Sequence, residues 1–246
     1  MADAYFENQR LADLYDEMNL PERPDLDLYL QMAEKFETDT VIDLGCGTGA
    51  LACKLAAQEV DVIGVDPAAA SLAVAKRKTY ADKVNWFHGT IDTLPDAQAD
   101  LVTMTGNVAQ VFVTDEEWMA TLIACKKQLR PGGRLMFEVR NPAKEAWKNW
   151  TQEETFEELD IPSIGKVETW TDLLSIQLPL VTFRHTFRFH QDDKILTSES
   201  TLRFRSKHEV LRSLEKSGLD VEDILDAPDR RGLEYIFIAR KPSLND

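Results

Sequence analysis

Three cysteines (Cys46, Cys53 and Cys125) and four histidines are all that 246 residues offer to disulfide or soft-metal chemistry. The cysteine number is odd and the spacing wide, so no disulfide framework is indicated. The histidines (His88, His185, His190, His208) lie far from the cysteines in sequence, so no metal site is expected. No apolar stretch approaches the roughly 20 residues of a membrane span. The opening MADAYFENQR lacks the basic segment and apolar run of a signal peptide. Basic residues are scarce as well: 28 Lys and Arg stand against 43 Asp and Glu, for a net charge of −15. Such a chain repels a polyanion on average, so nucleic acid is not an expected partner. The expectation left by these absences is a cytoplasmic protein with no membrane partner.

What is present is an ordinary globular composition, with 43% hydrophobic, 9% aromatic and 29% charged residues,. The length suits one domain, 1–246, carrying an insertion. Residues 1–38 read as two amphipathic helices, with Leu11, Leu14, Tyr15 and Met18 on one face and Leu26, Tyr29, Leu30 and Ala33 on the next. The breaker Pro21-Glu22-Arg23-Pro24 separates them. From Thr40 onward short apolar runs alternate with helical patterns. Strands are expected at 40–44, 60–65, 84–88, 101–105 and 134–139, with helices at 51–56, 69–78 and 116–129 among them. That alternation implies parallel pairing and a doubly wound α/β sheet. Residues 143–160 look helical and end in an acidic run. Three strand-like segments then follow without helices, near 166–174, 180–190 and 195–205, the last two flanking the turn Gln191-Asp192-Asp193-Lys194. Segment 164–205 is therefore read as an antiparallel insertion. Ser206, with Glu209 three residues on, opens a helix that stops at Gly218, and two further strands are expected near 219–225 and 234–240.

The most informative segment is Asp43-Leu44-Gly45-Cys46-Gly47-Thr48-Gly49, a strand passing through glycines into a helix. Glycine permits positive φ and close approach of backbone to a ligand, and open α/β sheets bind ligands at the carboxyl ends of their strands. Asp66 ends the next strand, where an acid can accept hydrogen bonds from both ribose hydroxyls. Together these features suggest a nucleoside-containing ligand. Gly45, Gly47 and Ala50 also satisfy the relaxed dinucleotide fingerprint. Asp43, two residues before the first glycine, would oppose a pyrophosphate but suits the ammonium of an amino-acid moiety. The turn lacks the Gly-Lys-Ser/Thr of a P-loop.

Five segments in order, VIDLGCGTG (41–49), VIGVDPAAASLAVAKRK (62–78), WFHGTIDTLP (86–95), ADLVTMTGNVAQVF (99–112) and LRPGGRLMFEVRNP (129–142), resemble the class I S-adenosylmethionine-dependent methyltransferases. The resemblance implies a seven-stranded, mostly parallel Rossmann-like sheet, with the antiparallel insertion lying between the fifth strand and the last helix. It implies S-adenosylmethionine as cofactor and S-adenosylhomocysteine as product. Gly45, Cys46, Gly47 and Gly49 would pass beneath the methionine part, with Asp43 supporting its ammonium. Asp66 would hold the ribose and Pro67 would lie against the adenine. The turn Gly89-Thr90-Ile91-Asp92 would take the adenine edge. Many relatives carry an acid directly after this glycine where this chain has Thr90, so either the Thr90 hydroxyl or Asp92 supplies that contact. Thr105 and Gly106 would lie near the sulfonium. Tyr15 is a candidate lid contact, with residues 1–38 as the lid and 164–205 as an acceptor-side cap.

Methyl transfer from a sulfonium is an in-line displacement that needs alignment and exclusion of water; the sequence names no catalytic base. Candidate acceptor-side residues are Asn107, Gln110, Glu138, Arg140 and Asn141. Arg140, at a strand end, suits a carboxylate or phosphate. The expected acceptor is a small molecule, with the protein a monomer or homodimer. Two alternatives remain open. The insertion concentrates Arg184, Arg188, Lys194, Arg203, Arg205 and Lys207, which would serve an RNA or protein substrate if left free and a solvated strand face if not. From a different class, the glycine turn would suit an NAD(P)-binding oxidoreductase or a non-catalytic cofactor-binding protein.

Overall fold

The computed structural model describes residues 3–18 and 23–243. Pro21 and Glu22 of the expected breaker lie outside the described residues. The chain opens with α1 (Ala4–Glu7) and α2 (Gln9–Met18), and after a 3₁₀ turn at Pro24–Leu26 comes α3 (Asp27–Lys35). Then follow β1 (Thr40–Leu44), α4 (Ala50–Ala57), β2 (Asp61–Asp66), α5 (Ala69–Ala75), β3 (Val84–His88), β4 (Ala99–Met104), α6 (Asp115–Gln128) and β5 (Leu129–Arg140). A second run comprises the one-turn α7 (Gln152–Thr155), β6 (Glu157–Ile161), β7 (Gly165–Gln177), β8 (Leu180–Phe189) and β9 (Lys194–Arg203). The chain closes with α8 (Lys207–Ser217), β10 (Asp220–Asp226) and β11 (Glu234–Arg240).

The main sheet has seven strands in the order β3-β2-β1-β4-β5-β11-β10. The first five are parallel, and β11 runs antiparallel to both of its neighbours. Successive strand residues face opposite sides, so Val41 joins one core and Ile42 the other. Val41, Val62, Leu101 and Met136 pack under α3 and α4. Ile42, Val102 and Phe137 pack under α6 and α8. Side chains of this size contribute about 1.5–3 kcal/mol each when fully buried. Capping boxes fix where α6 and α8 begin: Thr114 Oγ1 accepts from Glu117 N at 3.1 Å, and Ser206 Oγ accepts from Glu209 N at 3.3 Å,.

Two segments depart from the sequence expectation. Helix α5 ends at Ala75 rather than Lys78, because the next amides, of Arg77 and Lys78, bond three residues back, to Val74 and Ala75. Residues 143–160 form 3₁₀ turns and α7, then β6, so the second sheet begins at Glu157 rather than near 164. β6 pairs antiparallel with β7, placing Leu159 opposite Val167. Leu159 and Ile161 alternate into a cluster with Leu11, Leu14, Phe187 and Phe189, while exposed Glu157, Glu158 and Asp160 hold the strand's polar positions. The second sheet is thus four-stranded, β6-β7-β8-β9. Among the described residues no helix is long and apolar enough to cross a membrane.

Candidate active site

The carboxyl ends of β1, β2, β4 and β5 converge on one edge of the main sheet, and the glycine turn lies there. Gly45, Gly47 and Gly49 all have positive φ, at 71°, 52° and 76°. Their reasons differ. A Cβ on Gly45 would sit 2.5 Å from Val108, and one on Gly49 would sit 2.5 Å from Trp86, so both are also demanded by packing. A Cβ on Gly47 would meet nothing within 4 Å, and the same holds for Gly106, φ 66°, at the end of β4. Two glycines therefore face open space from adjacent strand ends, a cradle in which backbone can approach a ligand.

Two buried carboxylates flank this cradle. Asp43 is 1% exposed and receives the Thr103 hydroxyl at 3.0 Å. Burial, with no ion-pair partner among the described residues, pushes its carboxyl up to about 7, and Asp66 adds to the push against the Thr103 hydroxyl and the more distant Arg23,. Asp66 accepts from the Gly47 and Ala68 amides at 2.8 and 2.7 Å. Burial raises it against the lowering effect of those two N–H groups. The cradle and its uncompensated acids fit a ligand that brings positive charge and hydroxyl donors. The Cys46 thiol packs inward and burial raises it, so it is no nucleophile,. Pro67 accepts from His88 Nε2 at 3.0 Å. Thr90 precedes a 3₁₀ turn at Ile91–Thr93, in which the Thr93 hydroxyl donates to the Thr90 carbonyl at 2.8 Å and accepts from the Thr90 amide at 3.4 Å, whereas Asp92 is exposed and Ile91 buried.

Beside the cradle lies a second acidic pair with a different solution. Glu138 on β5 accepts from Tyr29 Oη at 3.0 Å and from the Asn107 amide at 3.1 Å. Asn107 Nδ2 donates to Glu234 at 3.1 Å. Arg230 lies 3.7 Å from Glu138 and 3.1 Å from Glu234. Burial and Glu234 push Glu138 up, and Arg230 opposes them. Tyr29, Glu234 and Arg230 were not among the sequence candidates. Tyr29 showed only as a member of a helical stripe, and Arg230 sits in a loop without any pattern. Gln110 receives Arg140 Nη1 at 3.2 Å and donates to the Arg203 carbonyl at 3.3 Å. Both ends of the Asn141 amide are engaged by backbone, its oxygen by Ala143 N and its nitrogen by the Gly232 carbonyl. It therefore holds the 226–234 loop rather than facing the open side. Thr105 is half-buried beside Gly106.

The N-terminal helices join the two halves of the molecule. On one side the Phe6 carbonyl accepts from Ser71 on α5, Asp13 pairs with Arg77, and Asp16 pairs with Lys78. On the other, Tyr5 N donates to Ser198 on β9 and Arg10 makes a two-pronged pair with Asp192 while lying over Phe189. Tyr15 sits between, its ring against Tyr5 and Phe6 and its phenol bonded to Arg23.

The basic residues of the insertion are largely engaged. Arg184 pairs with Glu199, Arg188 with Asp193, and Arg203 with Asp115. Arg205 is buried and donates to the carbonyls of Ala109, Phe112 and Thr114. Phe183, Phe187, Phe189 and Phe204 pack inward between them.

Comparisons with known proteins agree with this geometry. The model of the methyltransferase domain family matches residues 41–133. The cypemycin N-terminal methyltransferase of a Streptomyces species is 34% identical over 106 residues, 43% of each chain. The chain spans about half the length of the curated relatives it matches. The CcbJ methyltransferase from Streptomyces caelestis shares the fold over 98% of both chains, with a TM-score of 0.79 at 20% identity. CalS10, an amino pentose methyltransferase from Micromonospora echinaspora with bound S-adenosylmethionine, covers 93% of this chain and is covered to 95%, with a TM-score of 0.68 at 19% identity. The segment 41–133, which carries both the glycine cradle and the acid-tipped second strand, is thus similar to the methyltransferase domain family, and the chain as a whole shares the fold of S-adenosylmethionine-dependent methyltransferases.

Proposed function

We propose that the protein transfers the methyl group of S-adenosylmethionine to a small-molecule acceptor, leaving S-adenosylhomocysteine. The observation that carries this reading is the open cradle at Gly47 and Gly106 flanked by two buried carboxylates that form no ion pair among the described residues. The cofactor supplies an activated methyl sulfonium. Gly45, Cys46, Gly47 and Gly49 pass beneath its methionine part, and Asp43 provides negative charge for the ammonium. Each oxygen of Asp66 accepts one backbone hydrogen bond in the structure and keeps a lone pair for a ribose hydroxyl,. Pro67 and Ile91 frame the adenine. Either the Thr90 hydroxyl or the exposed Asp92 meets the adenine amino group. Thr105 and Gly106 border the reacting end, and Tyr15 closes the lid from α2. The chain's own work is to align and to keep water out, and positioning of this kind contributes up to roughly 7–11 kcal/mol in good intramolecular systems.

Two competing readings lose support. A dinucleotide domain has parallel strands in the order 3-2-1-4-5-6, whereas here the antiparallel β11 stands next to β5. An RNA-binding face needs free cations, and most arginines of the insertion are paired or buried.

Thermal unfolding with S-adenosylmethionine, S-adenosylhomocysteine and NAD tests the proposal. A ligand at ~100 times its dissociation constant stabilises by about 2.7 kcal/mol, a rise of roughly 5–10 °C for a chain of this size. The expected result is a rise with the two adenosyl ligands and none in Asp66→Ala. A rise with NAD alone would overturn the proposal.

A further inference from the structure

Resting on the methyltransferase reading, the inference here concerns what the second partner must look like. Arg140 ends β5 at the same sheet edge as the cradle. Its Nη1 donates to Gln110 at 3.2 Å, and its Nε comes no closer than 3.9 Å to Glu234. No other side-chain hydrogen bond from its guanidinium is present among the described residues. The carboxylates nearby are committed elsewhere, since Arg230 stands 3.1 Å from Glu234 and Tyr29 and Asn107 hold Glu138. The Arg140 side chain is 28% exposed, yet desolvation lowers its pKa. Its neighbour Trp150 and, beyond it, His185 and Tyr5 are likewise only partly exposed, so accessible surface remains among these side chains.

The walls of the space among them are aromatic. The Arg140 guanidinium lies 5.8 Å from the Trp150 ring centroid. Trp150 meets Phe183 at 4.6 Å, Phe183 meets His185 at 5.0 Å, and His185 meets Tyr5 of the lid at 5.3 Å. On the inner face of the second sheet His185 forms a cross-strand row with Thr171 and Ser198. Its Nδ1 is tied to Thr171 Oγ1 at 2.9 Å, and Nε2 has no partner among the described residues. Burial and the neighbouring Arg140 push this imidazole down to about 4, so it is neutral at pH 7. The charged and titratable groups around the space are thus a cationic Arg140, with Glu234, Glu138 and Arg230 behind it, a neutral His185 and the un-ionised phenols of Tyr5 and Tyr15.

We propose that this space is the acceptor subsite and that it takes a ring-bearing carboxylic acid, with the carboxylate on the free fork of Arg140 and the ring against Trp150 and Phe183. One guanidinium matches one planar, singly charged carboxylate, with two parallel hydrogen bonds. An acceptor presenting an ammonium here would meet a cation whose nearest carboxylate, Glu234 at 3.9 Å, is shared with Arg230. His185 Nε2 supplies one further hydrogen bond to a polar substituent of the ring.

The test is calorimetric titration of benzoate, phenylacetate and indole-3-acetate, each beside its amide and beside phenyl phosphate, into protein saturated with S-adenosylhomocysteine. At least one carboxylate is expected to bind at least about tenfold more tightly than its amide, the range for one hydrogen-bonded charge. Arg140→Gln is expected to abolish that preference and Arg140→Lys to restore it in part, both with unchanged S-adenosylhomocysteine affinity, which also shows that they fold. Equal binding of acid and amide, no binding of any probe, preference for phenyl phosphate, or an unaltered preference in Arg140→Gln would overturn the assignment. Failure of S-adenosylhomocysteine to bind wild type would instead strike the methyltransferase reading.

Discussion

Asp43 and Asp66, on one side of the sheet edge, and Glu138 and Glu234, on the other, are two buried acid pairs that solve the same problem in opposite ways. The glutamates are compensated from within: Arg230 bridges them, and Tyr29 and Asn107 supply hydrogen bonds. The aspartates have hydroxyl and amide donors but no ion-pair partner among the described residues, and burial raises both. A buried charge without a partner is costly, so the glutamates read as scaffold and the aspartates as a site completed by its ligand. The contrast shows how one sheet edge divides structural from functional acid by where the arginine lies.

The largest effect should come from breaking the compensated pair. Arg230→Met leaves two buried carboxylates facing each other and is expected to cost about 2–3 kcal/mol, below the full buried-pair value because Arg230 is about one-third exposed,. Denaturant and thermal unfolding should show it as a fall of roughly 4–12 °C. Unchanged stability would mean that the glutamates share a proton and need no arginine.

On the uncompensated side, Asp66→Asn should leave stability nearly intact and weaken S-adenosylhomocysteine about ten- to a hundredfold, the worth of hydrogen bonds to a charged group. Calorimetry reads this directly. A stability loss without an affinity loss would reverse the assignment of the two pairs.

Asp43 sharpens the comparison through pH. Its folded pKa of about 7 lies above the 3.8 of an ordinary aspartate, so the folded state binds the extra proton between these values,. Its contribution to stability is full below pH ~4 and is lost as pH rises to about 7. Asp43→Asn should remove that slope from a stability–pH profile. S-adenosylhomocysteine, which brings an ammonium, should bind wild type more tightly as pH rises through 7 and lose this dependence in Asp43→Asn.

The smallest effect is expected in the insertion. Arg184→Gln with Arg188→Gln removes exposed pairs worth about 0–1 kcal/mol each,. Cofactor binding should not change, and retention on an RNA column should be absent in both forms. Salt-sensitive retention of wild type alone would revive an RNA substrate.

The cofactor side was legible in sequence because its signal is local. Asp43, the glycine turn and Asp66 fall within a few dozen residues, and the period-2 and period-3.6 patterns around them are strong. The acceptor side was not, for reasons of distance and chemistry. The Glu138 network joins Tyr29, Asn107, Arg230 and Glu234, which lie in α3, the β4–α6 loop, the β10–β11 loop and β11. No spacing rule links such segments. β6 was missed because Glu157, Glu158 and Asp160 left only Leu159 and Ile161 to show alternation. Gly49 and Gly47 look alike in the motif, and only the position of Trp86 shows that one also serves packing.

The double attachment of α1 and α2 has a consequence for exchange of parts between relatives. Asp13 and Asp16 match cations on the cofactor half, while Tyr5 and Arg10 match Ser198 and Asp192 on the second sheet. A chimera that imports only the second sheet would inherit a seam cut for a different N-terminus. Segments 3–18 and 157–203 form one transplantable unit, although more than a hundred residues separate them along the chain.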